Sequence, residues 1–254
     1  MQDLTPATAS EDARWGGLGT LAWGLVLAAI YVLASTFIYF AAVLHNYPFA
    51  SPKIIDRLML VTNGANLALS TSIATLLVLP LLLGVVKLKR GSKIARYLGF
   101  RPVSLRTVWR WLLLVCALSA SYSGIKWVAG LQVIPEWGVV TYQSMGAPWL
   151  FFLGVIVLAP LIEELYLRGF VVAGLERTAL RSIGAVLLTA AVWAVVHHQY
   201  HIYDQLWIFV FGLVLGASRV ISGSVYPAIA IHVLNNLVAY LAVGLYLGEY
   251  PPAM

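Results

Sequence analysis

Glu163 and Glu164 stand side by side in a stretch that otherwise reads as lipid-buried helix, Leu158-Ala-Pro-Leu-Ile-Glu-Glu-Leu-Tyr-Leu-Arg-Gly-Phe170. A charge at membrane depth costs roughly 2.5–3.5 kcal/mol on insertion scales, so such groups face a protein interior or a wet cavity, where they bind or react. The spacing divides their work. Glu164 and Arg168 are four apart, share a helix face and can pair. Glu163 points about 100° away around the helix, beyond easy reach of Arg168, and is left for another partner. Pro160 removes a helical donor just before the acids. The backbone carbonyl it frees is tolerated at this depth only if protein or water satisfies it.

Two later segments carry further polar groups. Ala191-Val-Trp-Ala-Val-Val-His-His-Gln-Tyr-His201 brings His197 to the end of an apolar run, with His198 beside it on another face and His201 four residues on. Tyr226-Pro-Ala-Ile-Ala-Ile-His-Val-Leu-Asn-Asn-Leu237 places His232 and Asn236 on one face, with Asn235 close by. An imidazole and an amide projecting together can act as paired hydrogen-bond donors, or as polar glue between helices worth about 1 kcal/mol per bond. One shared buried site would satisfy all three segments at once. A metal centre is an alternative use of the same groups: Glu163, His197 and His232, with His201, could bind zinc as three protein ligands and a water. A zincin His-Glu-x-x-His is absent, and Asn236 is a poor zinc ligand but a good oxyanion donor.

The surrounding chain must place these groups in a bilayer. Of 254 residues, 61% are hydrophobic and 10% charged. A soluble domain is nearer 45–50% apolar with about 25% charged, so the expected fold class is an all-α polytopic transmembrane bundle with an intramembrane polar cavity. Seven spans are expected, at about 17–44, 62–86, 107–131, 148–171, 183–200, 204–221 and 225–247, the fifth and sixth being short and closely spaced. The chain divides into an N-terminal region, 1–140, and a core, 141–254, within one membrane domain.

The net charge of +6 is no sign of nucleic acid. Half of the sixteen Lys and Arg lie in one segment, as Lys87, Lys89, Arg90, Lys93, Arg96, Arg101, Arg106 and Arg110. That is a positive-inside signature. It predicts a cytoplasmic N-terminus, carrying Asp3, Glu11 and Asp12, and an external C-terminus at Glu249, with Lys53 and Arg57 as a mild counter-signal. The first apolar run is too long for a cleaved signal. Trp109, Trp111, Trp127, Trp137 and Trp149 fall near span ends, as interfacial anchors do. Tyr97-Leu-Gly-Phe-Arg-Pro102 is expected at the membrane surface, as a short interfacial element or a solvated basic loop. Cys116 is alone, so there is no disulfide framework. At 1.5 Å per residue, Glu163 and His232 lie at matching depths of about 12 and 11 Å from the cytoplasmic ends of their spans, while His197 is deeper, at about 21 Å.

Taken in order, Glu163-Glu164-x-x-x-Arg168, Trp193-x-x-x-His197 and His232-x-x-x-Asn236 resemble the CPBP family, the CAAX-processing and bacteriocin-processing intramembrane proteases also called Abi. Ala159-Pro160, Arg168-Gly169, Phe211-Gly212-x-x-x-Gly216 and Tyr226-Pro227 are similar as well. The resemblance covers about residues 145–240. It departs at Trp193, where the family usually has Phe, and in the short segment between His197 and His232. It implies hydrolysis of a peptide bond by an activated water near the cytoplasmic face. The catalytic set would be Glu163, Glu164, Arg168, His197, His232 and Asn236. Glu163 would be the general base and His197 would orient the water. His232 and Asn236 would stabilise the oxyanion, and Glu164 would hold the geometry through Arg168. No cofactor is needed on this reading; zinc belongs to the alternative. The partners implied are the lipid bilayer and a lipidated, CAAX-like or membrane-embedded peptide or protein tail, in a prokaryotic cell membrane. Two other classes remain: a non-catalytic immunity or scaffold member of the same family, and a solute or proton pathway, which would show broken helices in inverted repeats.

Overall fold

The computed structural model describes residues 13–48, 51, 53 and 63–248. Asp3, Glu11, Asp12, Arg57 and the C-terminal segment from Glu249 lie outside the described residues. Among the described residues there is no strand. The protein is a polytopic all-α bundle.

In chain order the helices are α1 (Gly17–Asn46), α2 (Gly64–Leu88), α3 (Ile94–Leu98), α4 (Leu105–Val128), α5 (Glu136–Gln143), α6 (Pro148–Leu175), α7 (Arg181–Val196), α8 (Ile202–Ser222) and α9 (Tyr226–Tyr246). Among the described residues, six are long and apolar enough to cross a membrane: α1, α2, α4, α6, α8 and α9. The expected fifth span, 183–200, differs. Helix α7 has 16 residues and stops at Val196, a length of about 24 Å, short of the hydrocarbon core of about 30 Å. Two polar caps set other boundaries: the Asn63 side chain accepts from Asn66 N at 3.0 Å to start α2, and Ser104 accepts from Thr107 N at 3.2 Å to start α4.

The bundle is apolar outside and selectively polar inside. Leu18, Leu25, Trp109, Trp127 and Trp149 are exposed, while Asn66, Ser70, Thr71, Ser72 and Thr75 of α2 are buried. Lipid rewards the first set, and only packed protein can satisfy the second. Helix α6 runs through the middle, against α1, α2, α7, α8 and α9.

Small residues let the helices close. A Cβ on Gly216 of α8 would stand 2.6 Å from Val186 Cγ1 of α7. One on Gly212 would meet Ala190 and Trp193 at 3.1 and 3.2 Å. Backbone approach of this kind drives helix association where water cannot.

The segment after α2 forms a short packed helix, which decides against the solvated-loop alternative. Tyr97 and Leu98 are 1% and 0% exposed, and the Tyr97 ring stacks on Phe170 of α6 at 5.7 Å. Burial pushes the Tyr97 phenol above its ordinary range. Helix α3 is thus a short element packed onto one end of the bundle and not a solvated loop, because its aromatic and aliphatic side chains find an apolar seat on α1, α2 and α6.

A buried ion pair ties α4 to α8. Lys126 Nζ donates to Asp204 Oδ1 at 2.8 Å and to Val133 O at 3.2 Å, and Tyr122 Oη donates to the same carboxylate oxygen at 2.6 Å. The Tyr122 ring stacks on Trp207 at 4.9 Å. This pins the first turn of α8, and so the turn that joins it to α7.

Candidate active site

Helix α6 does not keep one hydrogen-bond register. Phe152–Leu158 and Leu165–Val171 are π-helical, and Ala159–Glu164 between them is α-helical. Such wide turns are rare and gather at functional sites. Proline explains the first. In the i→i+5 register the carbonyl of Val155 faces the backbone nitrogen of residue 160, and Pro160 has no hydrogen to offer. Asn236 of α9 supplies one instead, with Nδ2 donating to Val155 O at 3.0 Å.

The two acids are divided as their spacing predicts. Glu164 is fully buried. Its Oε1 accepts from Arg168 Nη1 at 2.8 Å and from His232 Nδ1 at 2.8 Å. Arg168, also fully buried, donates from Nη2 to Gly212 O at 3.1 Å, so α6, α8 and α9 meet at one charged knot. Two buried charges in such contact hold because each is paired; removing one partner is what costs.

Glu163 is half-buried on another face of α6. Its Oε2 accepts from Trp193 Nε1 at 2.7 Å. Tyr31 of α1, beside Thr71 and Thr75 of α2, and Tyr200 lie within its electrostatic reach.

Trp193 is the hub. Its ring lies under the Arg168 guanidinium at 5.2 Å and meets His232 edge-on at 5.2 Å and His197 edge-on at 4.9 Å. His197 is the residue that ends α7, at φ −92° and ψ 35°, with Nδ1 against Trp193 O at 2.7 Å. The greater depth expected for His197 along a long fifth span is therefore replaced by a short helix whose last residue turns back onto the hub.

Protonation follows from these contacts. A carbonyl and a carboxylate only accept, so both imidazoles carry hydrogen on Nδ1. His197 Nε2 then accepts a hydrogen when the ring is neutral. His232 Nε2 donates only as imidazolium.

Three sequence candidates stand elsewhere. His198 and His201 are exposed, and His201 stacks on Tyr203 at 5.4 Å. Asn235 reaches Asn236, with Nδ2 to Oδ1 at 3.4 Å. Among the described residues no three His, Cys, Asp or Glu side chains are grouped so as to hold a metal ion. Sequence reasoning missed the donor role of Trp193 and the polar neighbours Tyr31, Thr71, Thr75 and Tyr200. The available signal was a hydroxyl-bearing stripe, Ser70, Thr71, Ser72 and Thr75, inside an otherwise apolar span.

These features define a class: a multi-pass helical membrane protein with a carboxylate, imidazole and guanidinium cluster on three central helices. Residues 145–238 match the family model described as type II CAAX prenyl endopeptidase Rce1-like, so the chain resembles the CAAX-protease family over the segment that carries its motifs. No curated protein and no solved structure matches the chain.

Proposed function

We propose that the protein is an intramembrane endopeptidase that hydrolyses a peptide bond near the cytoplasmic membrane face, with Glu163 as the general base. The observation that carries this reading is the unequal setting of the two acids. Glu164 is paired through Oε1 with Arg168 and His232, and its Oε2, without a partner among the described residues, is enclosed in a fully buried side chain, whereas Glu163 is only half-buried. Glu163 keeps one carboxylate oxygen without a hydrogen bond among the described residues, beside a donor that fixes the other. A held carboxylate with a free oxygen is what proton abstraction from water requires.

The steps balance as an ordinary hydrolysis. Water bound between Glu163 and His197 Nε2 gives a proton to Glu163, and its oxygen adds to the scissile carbonyl carbon. The tetrahedral oxyanion accepts from His232 Nε2 and from the second hydrogen of Asn236 Nδ2. The C–N bond then breaks, and the proton on Glu163 passes to the leaving amine. Preorganised donors in a dry site are worth several kcal/mol at the transition state. This reading needs no metal. The matched family's description points to lipidated tails with a CAAX-like end as substrates. The basic segment 87–110 supports a cytoplasmic N-terminus and a site below the inner leaflet.

The test uses protein reconstituted in liposomes with a farnesylated CAAX-tail peptide and unlipidated membrane peptides. Glu163→Gln and His232→Ala should each abolish processing. Cleavage that persisted in both variants would end the peptidase reading.

A further inference from the structure

Among the described residues, the basic end of the bundle holds a guanidinium that forms no ion pair. Arg219, in the last turn of α8, is 5% exposed, and its Nε is enclosed without a partner. Among the described residues it makes no hydrogen bond or ion pair. The helix dipole offers it only about half a charge, whereas a buried charge left unpaired costs several kcal/mol. The group lies face-on against the Gly99 turn, where a Cβ would stand 2.7–2.8 Å from its Cζ, Nη2 and Nε.

Its charged neighbours are Glu176, Arg14 and Arg101. Glu176 is already paired with Arg14, whose own Nε is also enclosed and unpartnered. Arg101 reaches the other side of the junction, with Nη1 3.4 Å from where a Gly223 Cβ would be. Among the described residues, three guanidiniums therefore face one carboxylate. The excess suits an anion with several acceptor oxygens, such as a phosphate.

An adjoining groove chooses between a free phosphate and a lipid. It lies between the first half of α4 and the end of α8, with a volume of about 470 Å³. Ser104, Thr107, Ser222 and the cation Arg110 line its polar part, and Trp111, Leu114 and Ile221 its apolar part. Ser222 adjoins Gly223, so the groove opens beside Arg101. A free ion would leave the apolar part unused, but an acyl chain fills it.

We propose that an anionic phospholipid binds here, with its phosphate on Arg101 and Arg219 and one acyl chain in the groove between α4 and α8. The site is separate from the Glu163 cluster, and its test does not depend on proteolysis.

The measurement is native mass spectrometry of the full chain released from phosphatidylcholine nanodiscs with and without phosphatidylglycerol. Wild type should retain one phosphatidylglycerol. Arg219→Gln should weaken retention about tenfold, and Ile221→Trp, which fills the groove and leaves every charge in place, should weaken it too. Lys93→Gln, an exposed cation of the same basic segment, should change nothing. If Arg219→Gln does not fold, exposed Arg101→Gln carries the same expectation. Retention unchanged in Ile221→Trp and in the arginine variant, or lost equally in Lys93→Gln, overturns the proposal. So does full displacement of the lipid by inorganic phosphate with no effect of Ile221→Trp, which would mark a free-phosphate site.

Discussion

The side-chain amide of Asn236 donates to the carbonyl of Val155 at 3.0 Å, the acceptor that Pro160 cannot serve. One hydrogen of the amide thus repairs α6, and the other makes no hydrogen bond among the described residues. Asn236→Ala should cost about 1–3 kcal/mol, the price of a buried carbonyl left unsatisfied. Pro160→Ala restores a backbone donor, so the double variant should recover most of that stability. It should not recover turnover, which still lacks the amide. Unfolding of the four proteins in detergent, read as a double-mutant cycle, checks the first part, and single-turnover cleavage checks the second.

The two acids should separate stability from activity. Glu164→Gln leaves Arg168 buried without its carboxylate and should destabilise by about 3–5 kcal/mol. Glu163→Gln should leave the melting temperature near wild type and lower kcat by about 10²–10⁴. Melting curves and initial rates, measured on the same preparations, test the contrast. Equal loss of stability in both variants would contradict the division of roles.

Trp193→Phe keeps a ring at the hub and removes the hydrogen bond to Glu163. The expected result is a fall in kcat of about tenfold, from a base that is no longer held, with KM and melting temperature little changed. A KM effect alone would mean that Trp193 only shapes the substrate pocket.

The Lys126–Asp204 pair should behave as a buried ion pair. Lys126→Met strands the carboxylate and should cost about 3–5 kcal/mol, while Lys126→Met with Asp204→Leu should regain much of it. Because Asp204 pins the turn that follows His197, the single variant should also lower kcat. Unfolding midpoints of the single and double variants decide the matter.

The glycine contacts offer a control. Gly216→Ala forces a Cβ to 2.6 Å from Val186 and should cost about 1–3 kcal/mol through overpacking, whereas at Gly124 nothing lies within 4 Å. Gly124→Ala should be neutral or stabilise by up to about 1 kcal/mol. Metal analysis completes the set: zinc should be substoichiometric in active protein, and a chelator should leave cleavage intact. Stoichiometric zinc with loss of activity on chelation would replace the glutamate mechanism.

Local periodicity made part of this site legible. Glu164 and Arg168 pair because four residues on a helix return to one face, and Glu163 departs because one residue does not. The apolar runs announced the crossing helices by length alone, and Pro160 announced an orphan carbonyl. Where the sequence misled, the missing quantity was a distance between helices. The fifth span read too long because the apolar pattern of α7 continues to Val196 but cannot show that His197 turns back onto Trp193. The sequence left Tyr97 between an interfacial element and a solvated loop; Phe170 and the apolar ends of α1, α2 and α6 give it a buried seat.

The sequence by itself determined a membrane bundle, the faces on which its polar groups lie and the order of its motifs, since each depends on contacts a few residues apart. Only the tertiary structure decided that Trp193 joins Glu163, Arg168, His197 and His232, that Asn236 mends the helix Pro160 interrupts, and that Lys126 meets Asp204. Those contacts bring together residues up to 81 positions apart, and they exist only because small side chains let the helices close to one particular spacing.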